Sequence, residues 1–192
     1  MKTLKTFALV FSFVTIFSSC SDDDNKSTPV IEEELITTIT AIYTPQGGGT
    51  VVTLKLKDLD GDGAGAPDVT VSGPFAQNTT YNGVVTFTNE SVNPAEDVTI
   101  EIIELADEHQ VFYQNTGTLN NFTYATAADN FDSNGKPVGL QSVFTTTGAA
   151  TGSLKITLIH LPNKTATGVT AGDITNAGGS TDAEAVFSIT VE

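Results

Sequence analysis

Tryptophan and arginine are absent from this 192-residue chain, and cysteine and methionine occur once each. Each absence removes a class of function. With no arginine, the 8 basic residues are all lysine, set against 23 Asp and Glu for a net charge of −15. Nucleic acid, whose phosphates are gripped by arginine and lysine clusters, is therefore excluded as a partner, and anionic lipid headgroups are disfavoured. An acidic surface suits cations or a partner with a basic face, and it equally serves solubility. Without tryptophan the best platform for stacking sugar rings is missing, and Tyr43, Tyr81, Tyr113 and Tyr124 substitute only in part. A single cysteine, Cys20, rules out a disulfide within the chain.

The N-terminus carries the most information. Lys2 and Lys5 precede an apolar run from Phe7 to Phe17. Such a run is too short for a spanning helix, which needs about 20 apolar residues, so it reads as the core of an export signal over residues 1–19. Two serines then abut Cys20, and "SDDDN" follows it. The pairing of small residues with cysteine resembles a lipoprotein lipobox, which implies that Cys20 becomes the first mature residue and carries the lipid. Asp22, Asp23 and Asp24 resemble the acidic tag behind the lipidated cysteine of Bacteroidota surface lipoproteins. That tag implies passage through the outer membrane to face the medium. A solvated spacer is the other reading. Pro29 and the aperiodic, polar residues around it make the segment up to residue 33 a flexible tether.

From residue 34 onward the texture is uniform. Threonine, valine, isoleucine and phenylalanine recur in short alternating runs broken by Gly, Asn, Asp and Pro, with no helix-period stretch of useful length. The expected strands are 34–43, 50–58, 68–73, 83–89, 97–105, 110–114, 121–127, 139–147, 153–161 and 183–191. In the second, Val52, Leu54 and Leu56 share one face while Thr53, Lys55 and Lys57 share the other, as a half-buried strand requires. Nine or ten short strands in one domain, 34–192, predict an all-β fold. A two-sheet antiparallel sandwich of immunoglobulin-like or jelly-roll kind is expected, with a closed barrel as the alternative.

Two loops and two histidines are candidate sites. "DLDGDG" places Asp58, Asp60 and Asp62 at alternate positions with a glycine sixth, like the first half of a calcium loop, and Asp68 supplies a fourth oxygen donor. The twelfth position, acidic in an EF-hand, holds Val69, and Asp/Gly turns also form without any metal. "NFDSNG" repeats the pattern more weakly with Asn130, Asp132 and Asn134. His109, beside Asp107 and Glu108, shares a strand face with Val111 and Tyr113, while His160 ends the face of Leu154, Ile156 and Leu158. Two inward imidazoles with carboxylates nearby suit a transition metal or a haem iron, and a hydrogen-bonded structural histidine is the plainer alternative.

Enzymatic chemistry has little support. No nucleophile elbow, zinc-protease helix or phosphate-cradling glycine loop occurs, and a lipidated cysteine is no nucleophile. The lipobox, the acidic tag, the β-rich body and "NESVNPAEDVTIEIIELADEHQVFY" together resemble a group of short Bacteroidota lipoproteins. Some of these are described as type 1 periplasmic-binding-fold proteins, a description that implies solute capture. The expectation is a non-enzymatic surface module that binds a small ligand or metal, with an outer-membrane transporter as its candidate partner. The alternative is a structural or adhesive surface protein with calcium-stabilised turns.

Overall fold

The computed structural model describes residues 35–60 and 65–192. The export signal, Cys20, Asp22, Asp23, Asp24, the tether and Asp62 lie outside the described residues. Along the described chain run β1 (Thr38–Pro45), β2 (Val52–Lys57), β3 (Asp68–Val71), β4 (Thr80–Asn89), β5 (Glu96–Asp97), α1 (Thr99–Glu104) and β6 (His109–Asn115). They are followed by β7 (Phe122–Tyr124), β8 (Gln141–Thr145), β9 (Ala150–His160) and β10 (Ser180–Val191).

Alternation along the strands explains the layers. Ile39, Ala41 and Tyr43 of β1, Leu54 of β2, and Tyr81, Val85 and Phe87 of β4 are buried on one face. Across from them lie Leu154, Ile156 and Leu158 of β9 and Ala185, Phe187 and Ile189 of β10, in the same core. Each large side chain removed from water here contributes about 1.5–3 kcal/mol before entropy is charged against it. The larger sheet has 7 strands in the order β3-β2-β1-β4-β8-β7 with β5 beside β4, and the smaller has 3 in the order β10-β9-β6. All pairings between named strands are antiparallel. Two sheets that do not close on each other make an all-β sandwich, not a barrel.

An aromatic cluster fills the centre. Phe122 and Phe144 stack at 4.0 Å, and Phe75 meets Tyr43, Tyr81 and Phe144 edge-on at 5.4, 4.9 and 5.1 Å. Gly83 makes room for it, because a Cβ there would overlap both the Tyr43 ring and the Ser142 hydroxyl.

The strand expected at 97–105 is instead the two-residue β5 and the short helix α1. Asp97 Oδ1 accepts the Thr99 N–H at 3.1 Å, and the Thr99 hydroxyl bonds both the N–H and the carbonyl of Phe87. These bonds turn the chain over the sheet. Val98 and Ile102, one helical turn apart, face the core, while Ile100 and Ile103 face out. Beyond β9, residues 161–179 cross the outer face of the small sheet in two single-turn 3-10 helices, Val169–Ala171 and Ile174–Asn176. A second small core forms under them from Phe112, Ile159, Val169 and Ala177.

Candidate metal centre

The antiparallel register of β6 and β9 sets His109 directly opposite His160. Their rings stack at 4.9 Å with 9° between planes. Asp182 completes the group from β10. By strict alternation with Ala183, Ala185 and Phe187 it would point to the outer face, but the pairing of β10 with β9 slips between Thr181 and Ala183. That bulge adds a residue to one strand and re-aims a side chain. As a result one carboxylate oxygen of Asp182 lies 3.7 Å from His109 Nε2 and the other 4.0 Å from His160 Nδ1. Gly179 permits the approach into β10, since a Cβ there would collide with the His160 carbonyl.

The other nitrogen of each ring is oriented by a different group. His109 Nδ1 lies 3.1 Å from the Leu105 carbonyl. A carbonyl only accepts, so Nδ1 carries the proton and the Nε2 lone pair faces Asp182. His160 Nε2 faces Glu108 Oε2 at 3.6 Å, which leaves Nδ1 toward Asp182. Burial pushes the His109 pKa down, against the raising effect of the Leu105 carbonyl. The side chains of His109, Asp182 and His160 are 2, 3 and 14% exposed. One ligand atom from each lies within 4.8 Å of the others. Tetrahedral bonds of about 2.0–2.1 Å need donor atoms roughly 3.4 Å apart, so small side-chain rotations would close the set on an ion. Parallel rings stacked face to face do not aim both nitrogens along one axis, and the arrangement does not fit a haem iron.

The remaining sequence candidates are placed differently. Asp107 is exposed, and its charge acts on Lys164. Asn130 is buried with its amide spent on backbone: Nδ2 donates to the carbonyls of Ala125 and Gln141, and Oδ1 accepts the Gln141 N–H. Asp132 Oδ1 accepts the N–H groups of Asn134 and Lys136, both at 2.9 Å, and Oδ2 takes the Lys164 ammonium at 3.1 Å. Asn134 contributes only that backbone contact among the hydrogen bonds of this loop. An ammonium thus occupies the place where the sequence suggested a metal ion. Burial opposes ionisation of Asp132, but the Lys136 N–H and Lys164 more than offset it and hold its pKa below the usual carboxylate range.

In the first loop, Asp60 Oδ2 accepts the Gly65 N–H at 3.0 Å. That bond, followed by a contact from the Asp58 side chain, lowers the Asp60 pKa. Asp58 Oδ1 is buried without a hydrogen-bond partner among the described residues. Asp68 is exposed at the start of β3, paired across the ladder with Lys57.

Two important residues escape a reading of the sequence. Asp182 is hidden by its bulge. Lys164 is hidden by distance along the chain, although a lysine in a loop otherwise rich in Thr, Gly and Asn is a faint signal. No protein-family model, no curated protein and no solved structure matches this chain.

Proposed function

We propose that the chain is a lipid-anchored protein of the outer-membrane surface whose sandwich holds a divalent transition metal at His109, His160 and Asp182, without catalytic turnover. The observation that carries the reading is the orientation of the two imidazoles. Each has one nitrogen facing the same carboxylate, while the other meets an oxygen acceptor, the second-shell arrangement that orients metal-bound histidines. A set of two nitrogens and one carboxylate suits zinc, nickel, copper or ferrous iron better than calcium or magnesium. Glu108, partly exposed beside His160, is the side chain through which an ion would enter. Capture at the surface and transfer to an outer-membrane transporter is the role that fits the anchor and acidic tag of residues 20–24.

The test is metal analysis of the detergent-solubilised full chain, stripped with chelator and then titrated separately with zinc, nickel and copper. About one equivalent of at least one ion should bind, and Asp182→Asn and His160→Ala should each weaken it at least tenfold. Failure of all three ions to bind sinks the metal reading. The anchor is checked separately: Cys20→Ala should release the protein from the membrane fraction. Deleting Asp22, Asp23 and Asp24 should leave it lipidated but protected from protease in whole cells.

A second reading, a structural surface protein with calcium-stabilised turns, draws support from Asp58 and Asp60. Two adjacent carboxylates, one with a buried oxygen that has no hydrogen-bond partner among the described residues, gain from a shared hard cation.

A further inference from the structure

β6 ends the small sheet and β7 ends the large one, and these two end strands meet on one side of the sandwich. Between them lies a cleft of about 320 Å³, roofed by the loop at Ala171–Asp173. Both ends of the cleft are tied off. At one, the Tyr124 hydroxyl spans the edges by donating to the Val111 carbonyl at 2.7 Å, while accepting from Gln110 Nε2 at 3.0 Å. At the other, Asn115 Nδ2 holds the Leu119 carbonyl at 3.1 Å. Gly172 supplies the φ of 93° that the turn of the roof requires, above the Tyr124 ring, which an added Cβ would just touch.

The lining defines what would fit. It presents the amides of Gln114 and Asn121 and the Asp173 carboxylate beside Phe122 and Tyr124, with no lysine or histidine, while the Thr123 hydroxyl at its margin donates to the Val143 carbonyl. Gln114 Oε1 is buried with no hydrogen-bond partner among the described residues, which is costly unless a donor reaches it. An anion would find no counter-charge and would face Asp173. A strong cation site would need more than one carboxylate, and Asp173 Oδ1 already accepts the Thr175 N–H at 2.9 Å. An extended peptide cannot add to β7, which is three residues long. A volume at the lower end of ligand sites suits a single compact molecule. Hydroxyl groups both donate and accept, and so can satisfy amide and carboxylate together.

We infer that this cleft is a second binding site, separate from the metal centre, for a neutral polyhydroxylated ligand of the size of one sugar ring. The test is saturation-transfer NMR on the full chain with methyl glucoside, methyl galactoside and methyl mannoside at concentrations on the order of tens of millimolar. At least one glycoside should receive saturation. The signal should fall about fivefold or more in Gln114→Leu, the loss expected for one hydrogen bond. Because Gln114 is partly buried, Ala171→Trp provides the second variant: Ala171 is exposed in the roof of the cleft, so the fold is kept while the cleft is filled, and the signal should vanish. Chelator should leave the signal unchanged, which separates this site from the metal centre. Absence of transfer from all three glycosides, or transfer that survives Ala171→Trp, overturns the inference. Stronger transfer to glucuronate or glucosamine than to methyl glucoside overturns its assignment to a neutral ligand.

Discussion

Replacing Lys164 by methionine should destabilise the sandwich by about 3 kcal/mol. The ammonium is 6% exposed and the Asp132 side chain it faces 2%. Besides Asp132 Oδ2, it donates to the Ala106 carbonyl just after α1. Burial pushes the Lys164 pKa below the usual lysine range, although Asp132 pulls it upward, so the ammonium is held at a cost. Removing it leaves a buried carboxylate without its counter-charge, a loss of about 3–5 kcal/mol in comparable pairs. The lower end applies because Asp132 keeps two backbone N–H donors. With a urea slope of about 2 kcal/mol per M, the unfolding midpoint should drop by about 1.5 M. Adding Asp132→Asn to Lys164→Met removes the stranded charge, so the double variant should be more stable than the sum of the two single losses by at least about 1.5 kcal/mol. Additive losses, or a single-variant shift below about 0.5 M, would refute the argument that the pair is a coupled buried unit.

The clamp on Glu90 predicts a pH dependence. Lys57 and Lys55, at 2.6 and 3.0 Å, pull its carboxyl down to about 2. A depressed carboxylate stabilises the fold above its unfolded pKa, so the advantage of wild type over Glu90→Gln should be full above about pH 5 and disappear as pH falls through 2. The lysines are 38 and 36% exposed, so screening limits that advantage to about 1 kcal/mol, and 1 M salt should remove most of it. Gly83→Ala should cost about 1–3 kcal/mol by thermal or urea unfolding, because its methyl meets the Tyr43 ring and Ser142 in a packed core. A change below about 0.5 kcal/mol would mean that the strand shifts freely. If Asp58 and Asp60 hold calcium, adding it should raise the melting temperature of wild type and leave Asp60→Asn unmoved; equal shifts in both would exclude this loop.

The strands were legible because β-sheet alternation is local. Val52 and Leu54 point inward from sequence parity alone, and the neighbouring lysines outward. The segment at 97–105 misleads for the same reason: Val98, Thr99, Ile100, Ile102 and Ile103 favour a strand by residue type. What makes a helix there is tertiary, the capture of Thr99 by the Phe87 backbone on β4. His109 and His160 could be placed on inward faces, but their pairing depends on the β6–β9 register, set across about 50 residues of intervening chain. Asp182 lay beyond parity altogether, since a one-residue bulge reverses the face that its position implies. The Asp132 loop shows the opposite limit. Its spacing of oxygen side chains is metal-like, yet the decisive contact is a lysine 32 residues away.

The two proposed sites share one strand, and this has a physical basis. β6 starts at His109 and ends at Asn115, with Gln114 at the cleft and four buried residues, Gln110 to Tyr113, between. It is fastened on both faces, by Val111 and Tyr113 in the main core and by Phe112 under the crossing loop. The same loop contributes Lys164, which anchors Ala106 beside the Leu105 carbonyl that orients His109, and also Asp173, which rims the cleft. A rigid end strand with one covering segment, its outer backbone edge held by the Val138 carbonyl and the Tyr124 hydroxyl, can therefore position both sets of side chains to within the tolerance that binding requires. Loosening that segment through Lys164→Met should weaken metal binding at His109 as well as lower stability, because the Leu105 carbonyl loses its fixed position. A variant that lost stability but kept wild-type metal affinity would show that the imidazole is oriented by β6 alone.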